Sequence, residues 1–176
     1  MVSNPNLFLV GLMAVGKTTV GRLLAERLKM TFIDTDHEIE ARAGADTSWI
    51  FDVEGESGFR DREEHVIDDL TQRENIVLAT GGGAVIRPAN RQALAARGVV
   101  LHLDSHLDRL VERTRKDKRR PLLQKGDVRE TLGALMAERD PMYAEVRDYR
   151  FVTDRQNPKV LVDRIVKQLR KDRVLR

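Results

Sequence analysis

An eight-residue segment near the start of the chain, GLMAVGKT at residues 11–18, satisfies the pattern G-x-x-x-x-G-K-S/T. An apolar run before it predicts a strand at residues 7–11, and an amphipathic run after it predicts a helix at residues 17–29. Glycines at this spacing let successive backbone N–H groups turn toward one anion, and the following helix directs its positive dipole end there. The segment therefore predicts a phosphate-binding loop between a strand and a helix, with an ordinary glycine-rich turn as the alternative.

The overall composition limits the classes of protein to which the chain can belong. A length of 176 residues predicts one domain, residues 1–176, and 41% hydrophobic with 34% charged residues is typical of a globular protein. The absence of cysteine excludes disulfides and thiolate chemistry, and no leader or apolar membrane-spanning run is present, so we expect a cytoplasmic protein. A net charge of +3 and only one Trp, two Tyr and five Phe do not favour nucleic-acid binding.

Apolar and amphipathic runs alternate along the whole chain, which predicts an α/β fold with a mostly parallel sheet between helices. No internal repeat or linker interrupts this order. The predicted strands are residues 7–11, 31–34, 76–79, 99–103 and 150–153. The predicted helices are residues 17–29, 36–43, 58–73, 88–97, 107–113, 127–144 and 158–169, with an irregular stretch around Trp49 and Phe51.

Two residues of the phosphate-loop motif carry chemistry of their own. The Lys17 ammonium can follow the negative charge that spreads over a transferred phosphoryl group. The Thr18 hydroxyl can occupy one position around Mg²⁺. The motif therefore predicts binding of a nucleoside triphosphate together with a metal ion.

Asp34 and Asp36 lie at the carboxyl end of the second predicted strand, at the sheet edge where α/β proteins bind ligands. No carboxylate ends the strand at residues 76–79, where many phosphate-loop proteins carry a magnesium-holding aspartate. We expect Asp34 to serve the metal through water and Asp36 to accept a proton from an acceptor hydroxyl. The alternative is that Asp36 only caps the helix that follows, and both roles can hold together.

Two arginines and a glycine triplet suggest an acceptor that carries a carboxylate. Arg60 falls near the start of a predicted helix, where a cation is unfavourable unless an anion is close, and Arg139 precedes Pro141 and Tyr143. A guanidinium binds a planar carboxylate through two parallel hydrogen bonds. The glycine triplet at residues 81–83 would let backbone N–H groups approach a ligand. Solvated or ion-paired surface arginines are the alternative.

The segment from Arg113 to Arg120 is almost wholly basic and ends at Pro121. It can be a solvated helix end or a patch for nucleic acid or targeting. With a phosphate loop in the same chain, the segment also fits a lid that closes over ATP and brings Arg120 to the transferred phosphoryl group.

Taken together, these motifs resemble the shikimate kinase family. Their order and intervals match the family along nearly the whole chain, and the series is far more specific than the phosphate loop alone. The matching segments are Gly11 to Thr18, Asp34-Thr-Asp36, Phe59-Arg60 with Glu63, Gly81-Gly82-Gly83, Arg120-Pro-Leu-Leu123 and Arg139-x-Pro141-x-Tyr143.

The resemblance implies a fold and an activity. The fold is that of a nucleoside-monophosphate kinase, three layers with a five-stranded parallel sheet of order 2-3-1-4-5 and a mobile lid at about residues 113–124. The activity is transfer of the ATP γ-phosphoryl group to the 3-hydroxyl of shikimate, in the pathway to chorismate and aromatic amino acids. A substrate-binding region at about residues 34–63, a monomeric state, and ATP and shikimate as the only partners are implied as well.

The resemblance also implies roles for individual residues, which form four sets. The catalytic residues would be Lys17, Asp36 and Arg120. The ATP site would contain Gly11, Ala14, Val15, Gly16, Lys17, Thr18, Thr19, Arg113, Arg120 and Gln156. The shikimate site would contain Asp36, Arg60, Gly81, Gly82, Gly83 and Arg139, and the Mg²⁺ site Thr18 and Asp34.

Two departures and two rival functions accompany this resemblance. The fourth loop position is Ala14 where glycine is common in the family, and the pattern around residues 154–158 matches only loosely. One rival is another small-metabolite kinase, such as a gluconate-type enzyme. The other is a nucleotide-regulated binding module that uses the basic segment on nucleic acid.

Overall fold

A five-stranded parallel sheet forms the centre of the computed structural model, which describes residues 4–115, 123, 126–154 and 156–176. The strand order is β2-β3-β1-β4-β5, so the strand that leads into the phosphate loop lies in the middle. The order and the parallel pairing confirm the predicted fold. The strands are β1 Leu7–Val10, β2 Thr31–Asp34, β3 Ile76–Ala79, β4 Val99–Asp104 and β5 Tyr149–Val152.

Helices cover both faces of the sheet and make the fold a three-layer sandwich. On the described residues, no helix is both long and apolar enough to cross a membrane. The helices are α1 Lys17–Leu28, α2 Thr35–Ala43, α3 Thr47–Leu70, α4 Pro88–Arg97, α5 Leu107–Thr114, α6 Val128–Val146 and α7 Pro158–Lys171.

The two hydrophobic cores follow from the alternation of side chains along the central strand. Leu7 and Leu9 point into a core shared with α1, α5 and α7, whereas Phe8 and Val10 point into one shared with α2, α3 and α4. All four side chains are fully buried. Helix α6 contributes to both cores, through Leu132 in the first and through Tyr143 and Val146 in the second.

The register brings the carboxyl ends of neighbouring strands to one edge. Asp34 pairs with Ala79 across β2 and β3, and Val10 pairs with His102 across β1 and β4. The segments that follow these strands are the phosphate loop, the start of α2 and the glycine triplet. They therefore meet at the same end of the sheet, as expected for ligand binding in this class of fold.

The start of α3 differs from the sequence prediction. The stretch around Trp49 and Phe51 is helical, because Asp46 caps a helix that begins at Thr47 and accepts a hydrogen bond from the Trp49 N–H at 2.8 Å. Gly55 interrupts the helix with φ 71° and ψ 178°, so α3 consists of two segments joined at a kink. Arg60 consequently lies more than one turn inside its helix.

Candidate active site

The phosphate loop joins β1 to α1 through backbone conformations that favour glycine. Gly11 has φ 150°, and a Cβ at this position would lie 2.3 Å from the carbonyl oxygen of Leu103 in β4. Gly16 begins α1 with φ 103° and ψ 20°. Ala14, the departure from the family pattern, adopts φ 64° and keeps its backbone donor. The loop thus has the strand, turn and helix context that the motif requires.

Lys17 and Thr18 are oriented by the loop and by β2. The buried Lys17 ammonium donates to the carbonyl oxygens of Gly11 at 2.5 Å and of Leu12 at 2.9 Å, so it lies within the loop. The Thr18 hydroxyl donates to Asp34 Oδ2 at 2.8 Å. A hydroxyl and a carboxylate therefore share the position at the start of α1 where a metal bound to phosphates would lie.

The other oxygen of Asp34 begins helix α2. Asp34 Oδ1 accepts hydrogen bonds from the backbone N–H groups of Asp36 at 3.0 Å and His37 at 3.3 Å. Asp34 is therefore the capping residue, and the alternative that Asp36 caps this helix is wrong. Asp36 lies in the first turn instead, half-buried at the sheet edge.

The glycine triplet lets side chains from α2 and α3 approach its backbone closely. A Cβ on Gly81 would lie 2.8 Å from Asp36 Oδ1 and 3.0 Å from Glu63 Oε2. A Cβ on Gly83 would lie 2.4 Å from both terminal nitrogens of Arg60. The two glycines thus make room for one carboxylate pair and for one guanidinium.

Arg60 is buried and held by acidic residues of its own helix. Its side chain donates to Glu63 Oε1 at 2.9 Å and to Glu56 Oε1 at 3.3 Å, and its guanidinium lies 5.3 Å from the ring centroid of Phe59. Only 7% of Arg60 and none of Glu63 is exposed to solvent. The surface-arginine alternative is therefore wrong for Arg60.

Arg139 approaches the same place from α6 and is 2% exposed, so the surface alternative is wrong here too. A Cβ on Gly82 would lie 3.4 Å from one of the terminal nitrogens of Arg139. The same Cβ would lie 3.1 Å from the backbone nitrogen of Met13 in the phosphate loop. The middle glycine thus lies between the phosphate loop and Arg139. The two halves of the site are separated by the width of a single residue.

Buried polar atoms around the triplet have no hydrogen-bond partner within the described part of the chain. They are Arg60 Nε, Glu63 Oε2 and Arg139 Nε. An unpaired buried donor costs about 1–3 kcal/mol, which a protein tolerates where a ligand completes the bonding. The two guanidinium donors fit an anionic ligand group, and the arrangement fits a carboxylate beside a transferable phosphoryl group.

Burial makes Glu63 an unusual carboxyl group. Loss of solvent raises its pKa to about 7, the nearby Asp36 adds to this, and Arg60 and Arg139 oppose it. Glu63 therefore changes charge near neutral pH, beside two fixed cations. Sequence patterns identify Glu63 only as part of a motif. Its position three residues after Arg60 is the one sequence signal of the ion pair between them.

The residues expected around the nucleotide base lie on the other side of the loop. Arg113, in the last turn of α5, donates to the carbonyl oxygens of Ala14 at 3.2 Å and Val15 at 3.1 Å, and contacts Thr153. Gln156 Oε1 is buried with no hydrogen-bond partner on the described residues. Arg120 and most of the expected lid, residues 116–122, 124 and 125, lie outside the described residues.

The structure also brings in two residues that the sequence did not assign. The Thr35 hydroxyl, fully buried, accepts a hydrogen bond from Gly81 N–H at 3.0 Å and so ties α2 to the triplet. The Tyr143 hydroxyl donates to the carbonyl oxygen of Gly82 at 2.5 Å. A hydroxyl within the Asp-Thr-Asp motif and a tyrosine one turn after Arg139 were the available signals.

The fold and the phosphate loop together define a P-loop kinase, and two buried arginines lie beside its glycine triplet. The family model for shikimate kinase matches residues 13–170 of the chain. The chain belongs to the shikimate kinase family.

Similar proteins from two bacteria agree with this assignment. A shikimate kinase of Photobacterium profundum is 56% identical over 169 residues, covering 96% of this chain and 97% of the relative. A shikimate kinase of Legionella pneumophila is 55% identical over 164 residues, covering 93% and 94%. The similarity thus extends over nearly the full length of both relatives.

Solved structures separate the family from its rival. Shikimate kinase from Acinetobacter baumannii in complex with shikimate superposes with a TM-score of 0.94 at 46% identity, covering 96% of this chain and 94% of that one. A gluconokinase from Sinorhizobium meliloti gives a TM-score of 0.57 at 16% identity, covering 97% and 99%. The second likeness shows a shared fold alone.

Proposed function

We propose that this chain transfers the γ-phosphoryl group of ATP to the 3-hydroxyl of shikimate, forming shikimate 3-phosphate and ADP. The observation that carries the proposal is the glycine triplet, which lies between the phosphate loop on one side and the buried Arg60 and Arg139 on the other. A carboxylated alcohol bound there would present its hydroxyl to the terminal phosphate. Family membership supports the same reaction.

On the nucleotide side, backbone N–H groups of residues 11–19 bind the phosphates, and Lys17 neutralises charge on the transferred group. Transfer breaks the bond between the γ-phosphorus and the bridging oxygen of ADP while the acceptor oxygen forms the new bond. Arg113 and Gln156 line the base. Arg120, from a lid at about residues 113–124, would reach the phosphoryl group.

On the acceptor side, the two guanidinium groups hold the carboxylate of shikimate, and the triplet lines the floor of the site. The Asp36 carboxylate lies within contact distance of the triplet. It orients the 3-hydroxyl and accepts its proton as the hydroxyl oxygen attacks the γ-phosphorus. Burial of both arginines favours this binding, because water competes less for their donors. The substrate-binding region would be about residues 34–63, within one domain of residues 1–176.

A kinase of this family uses a metal complex of ATP, and we propose Mg²⁺ as the metal. Thr18 and Asp34 supply two oxygens 2.8 Å apart, and no cluster of three metal-binding side chains occurs on the described residues. This donor set fits Mg²⁺, which takes most of its ligands from phosphates and water. When bound, Mg²⁺ neutralises phosphate charge. Asp34 and Thr18 would hold it at the start of α1.

We also propose that the enzyme acts in the cytoplasm as a monomer, with ATP and shikimate as its partners and no nucleic acid or membrane. The family resemblance and the low net charge of +3 support this set.

A coupled assay of ADP release tests the function. We expect release that requires both shikimate and Mg²⁺, with little release when gluconate replaces shikimate. Arg60→Ala should raise the KM for shikimate roughly tenfold to hundredfold, because it removes a charged hydrogen-bond donor. Arg27→Ala, which removes an exposed arginine that pairs with Asp163 at 3.8 Å, is the matched control.

Three results would contradict the proposal. Failure of the purified chain to consume ATP in the presence of shikimate and Mg²⁺ would refute the activity. An unchanged KM for shikimate in Arg60→Ala would refute the carboxylate site. Affinity for nucleic acid that falls steeply with added salt would favour the binding module.

A further inference from the structure

His102 is a buried imidazole that the reaction does not use. Side chains alternate along β4, so His102 points to the same side of the sheet as Val100, into the core that contains Tyr143. The histidine is 2% exposed and lies across from Val10, the last residue before the phosphate loop. Burial of a polar ring in an apolar core costs free energy unless the ring forms compensating contacts.

The contacts of His102 define its charge and tautomer. An Arg147 guanidinium nitrogen lies 3.3 Å from His102 Nδ1. Arginine has only donors, so Nδ1 must accept the hydrogen bond and the ring proton must lie on Nε2. Burial and the nearby arginines lower the pKa of His102 to about 4, although Asp104 opposes them, so the ring is neutral at neutral pH.

The neutral ring of His102 supports Tyr143. The two ring centroids are 4.8 Å apart with an interplanar angle of 29°, which is a stacked arrangement. Tyr143 is 1% exposed, and its hydroxyl donates to the carbonyl oxygen of Gly82 at 2.5 Å. The positive charge of Arg139 acts on the same hydroxyl and opposes the rise in the pKa of Tyr143 that burial causes. The phenol hydroxyl thus fixes the middle glycine of the triplet, and the Arg139 guanidinium lies beside that glycine.

The position of Gly82 makes this hydroxyl important for the acceptor site. Its neighbours Gly81 and Gly83 contact Asp36 and Arg60, so movement of the Gly82 peptide would displace both contacts. Packing alone would be satisfied by a phenylalanine ring. The hydroxyl adds what a phenylalanine would lack, which is a hydrogen bond that fixes the Gly82 carbonyl next to Arg139.

We propose that Tyr143, which stacks on the ring of His102, is a positioning residue that fixes the glycine triplet beside Arg139 in the geometry that binds the acceptor carboxylate. The inference rests on the proposed function and adds two residues to it. Neither residue touches the reacting atoms. Their effect should therefore appear in acceptor binding and leave nucleotide binding unchanged.

Tyr143→Phe tests the hydroxyl while it keeps the ring. We expect the KM for shikimate to rise about threefold to tenfold, since the hydrogen bond that fixes the Gly82 carbonyl is lost, with the KM for ATP within about twofold of wild type. Calorimetric titration with shikimate should show the same loss of affinity. Tyr149→Phe, which removes a hydroxyl bound to Asp172 on the far edge of the sheet, is the matched control and should behave as wild type.

Two substitutions of His102 test the stacking. His102→Leu removes the aromatic surface and should raise the KM for shikimate about threefold, since the ring that Tyr143 stacks on is lost. His102→Phe keeps an aromatic ring and should restore the wild-type KM. Melting temperatures are measured for every variant, and kinetics are recorded well below them.

The outcomes distinguish this inference from the activity itself. Suppose that the wild-type enzyme phosphorylates shikimate and that Tyr143→Phe has a lower melting temperature but an unchanged KM for shikimate. Tyr143 would then have a purely structural role, and the inference would be overturned. Equal increases in the KM for shikimate and for ATP would also overturn it. A wild-type protein with no shikimate-dependent ADP release would instead refute the proposed function.

Discussion

The proposed nucleotide side and the proposed acceptor side of the site are built in different ways. The phosphate loop is eight consecutive residues whose proposed binding groups are backbone amides, and its shape depends on positive φ angles at Gly11 and Gly16. The acceptor side is assembled from side chains of α2, α3 and α6 around a glycine triplet, and most of them are buried and charged. A local backbone motif tolerates changes elsewhere, whereas an assembled pocket depends on the packing of the whole domain.

The comparison predicts that the largest loss of rate comes from the nucleotide side. Lys17→Ala removes the ammonium that lies within the loop, so kcat should fall roughly 10²- to 10³-fold while the KM for shikimate changes little. Steady-state kinetics with both substrates varied would measure this. Lys159→Ala, on the exposed face of α7, is the control. A Lys17→Ala variant with normal kcat would contradict the assignment.

Two glycine substitutions should separate the two sides by their effects on stability. In Gly11→Ala the new Cβ meets the backbone of Leu103 at 2.3 Å, so we expect a loss of roughly 2–4 kcal/mol in the free energy of unfolding. In Gly83→Ala the obstruction is the end of the Arg60 side chain, which can move. We therefore expect a smaller loss of stability and a roughly tenfold higher KM for shikimate.

Urea unfolding and shikimate kinetics would test this pair of variants. Gly133→Ala, whose Cβ would meet only Leu107 at 3.6 Å in an ordinary contact, is the control. Equal losses of stability in Gly11→Ala and Gly83→Ala would remove the distinction between a backbone-built and a side-chain-built half.

The acceptor side should also show opposing pH dependences of stability. Burial raises the pKa of Glu63 from 4.5 to about 7, so the folded state binds more protons and stability falls as pH rises through this window. Burial lowers the pKa of His102 from 6.5 to about 4, so the unfolded state binds more protons and stability rises over that window.

Unfolding free energies at pH 5 and pH 8 would separate the two groups. Relative to wild type, Glu63→Gln should gain roughly 1–3 kcal/mol of stability over this range, and His102→Phe should lose a similar or smaller amount. Differences that do not change with pH would contradict the protonation states given to both residues.

The smallest effect is expected at the base-binding end of the nucleotide side. Arg113→Ala removes hydrogen bonds to the carbonyl oxygens of Ala14 and Val15, so the KM for ATP should rise about threefold to tenfold with kcat nearly unchanged. Nucleotide titration monitored by calorimetry would measure it. A change confined to the KM for shikimate would contradict the assignment of Arg113 to the nucleotide side of the site.

The two sides also differ in how well the sequence predicted them. The phosphate loop, the strand order and the ends of most helices followed from local patterns and from the family resemblance. The first segment of α3 did not, because Gly55 and Gly58 obscured the helix that Asp46 caps. Helical spacing of apolar residues is a weak signal where a kink divides a helix into short segments.

The burial of the charged residues could not be predicted from the sequence. Arg60 and Glu63 have the spacing of an ordinary surface ion pair, and only the packing of α3 against the triplet shows that both are buried. The stacking of His102 on Tyr143 joins residues 41 positions apart, which no local pattern contains. The sequence also offered only Asp36 as a cap of α2, whereas the structure gives this role to Asp34.

The divided duty of Asp34 offers a way to isolate the contribution of a bound cation. One oxygen of its carboxylate caps α2, and the other accepts a hydrogen bond from the Thr18 hydroxyl. Asparagine caps helices about as well as aspartate, and its amide can donate to the hydroxyl that previously donated to it. Asp34→Asn should therefore preserve the scaffold while it deletes the negative charge, whereas Asp34→Ala would damage both at once. Of the two, only the isosteric exchange can attribute a change in metal affinity to electrostatics.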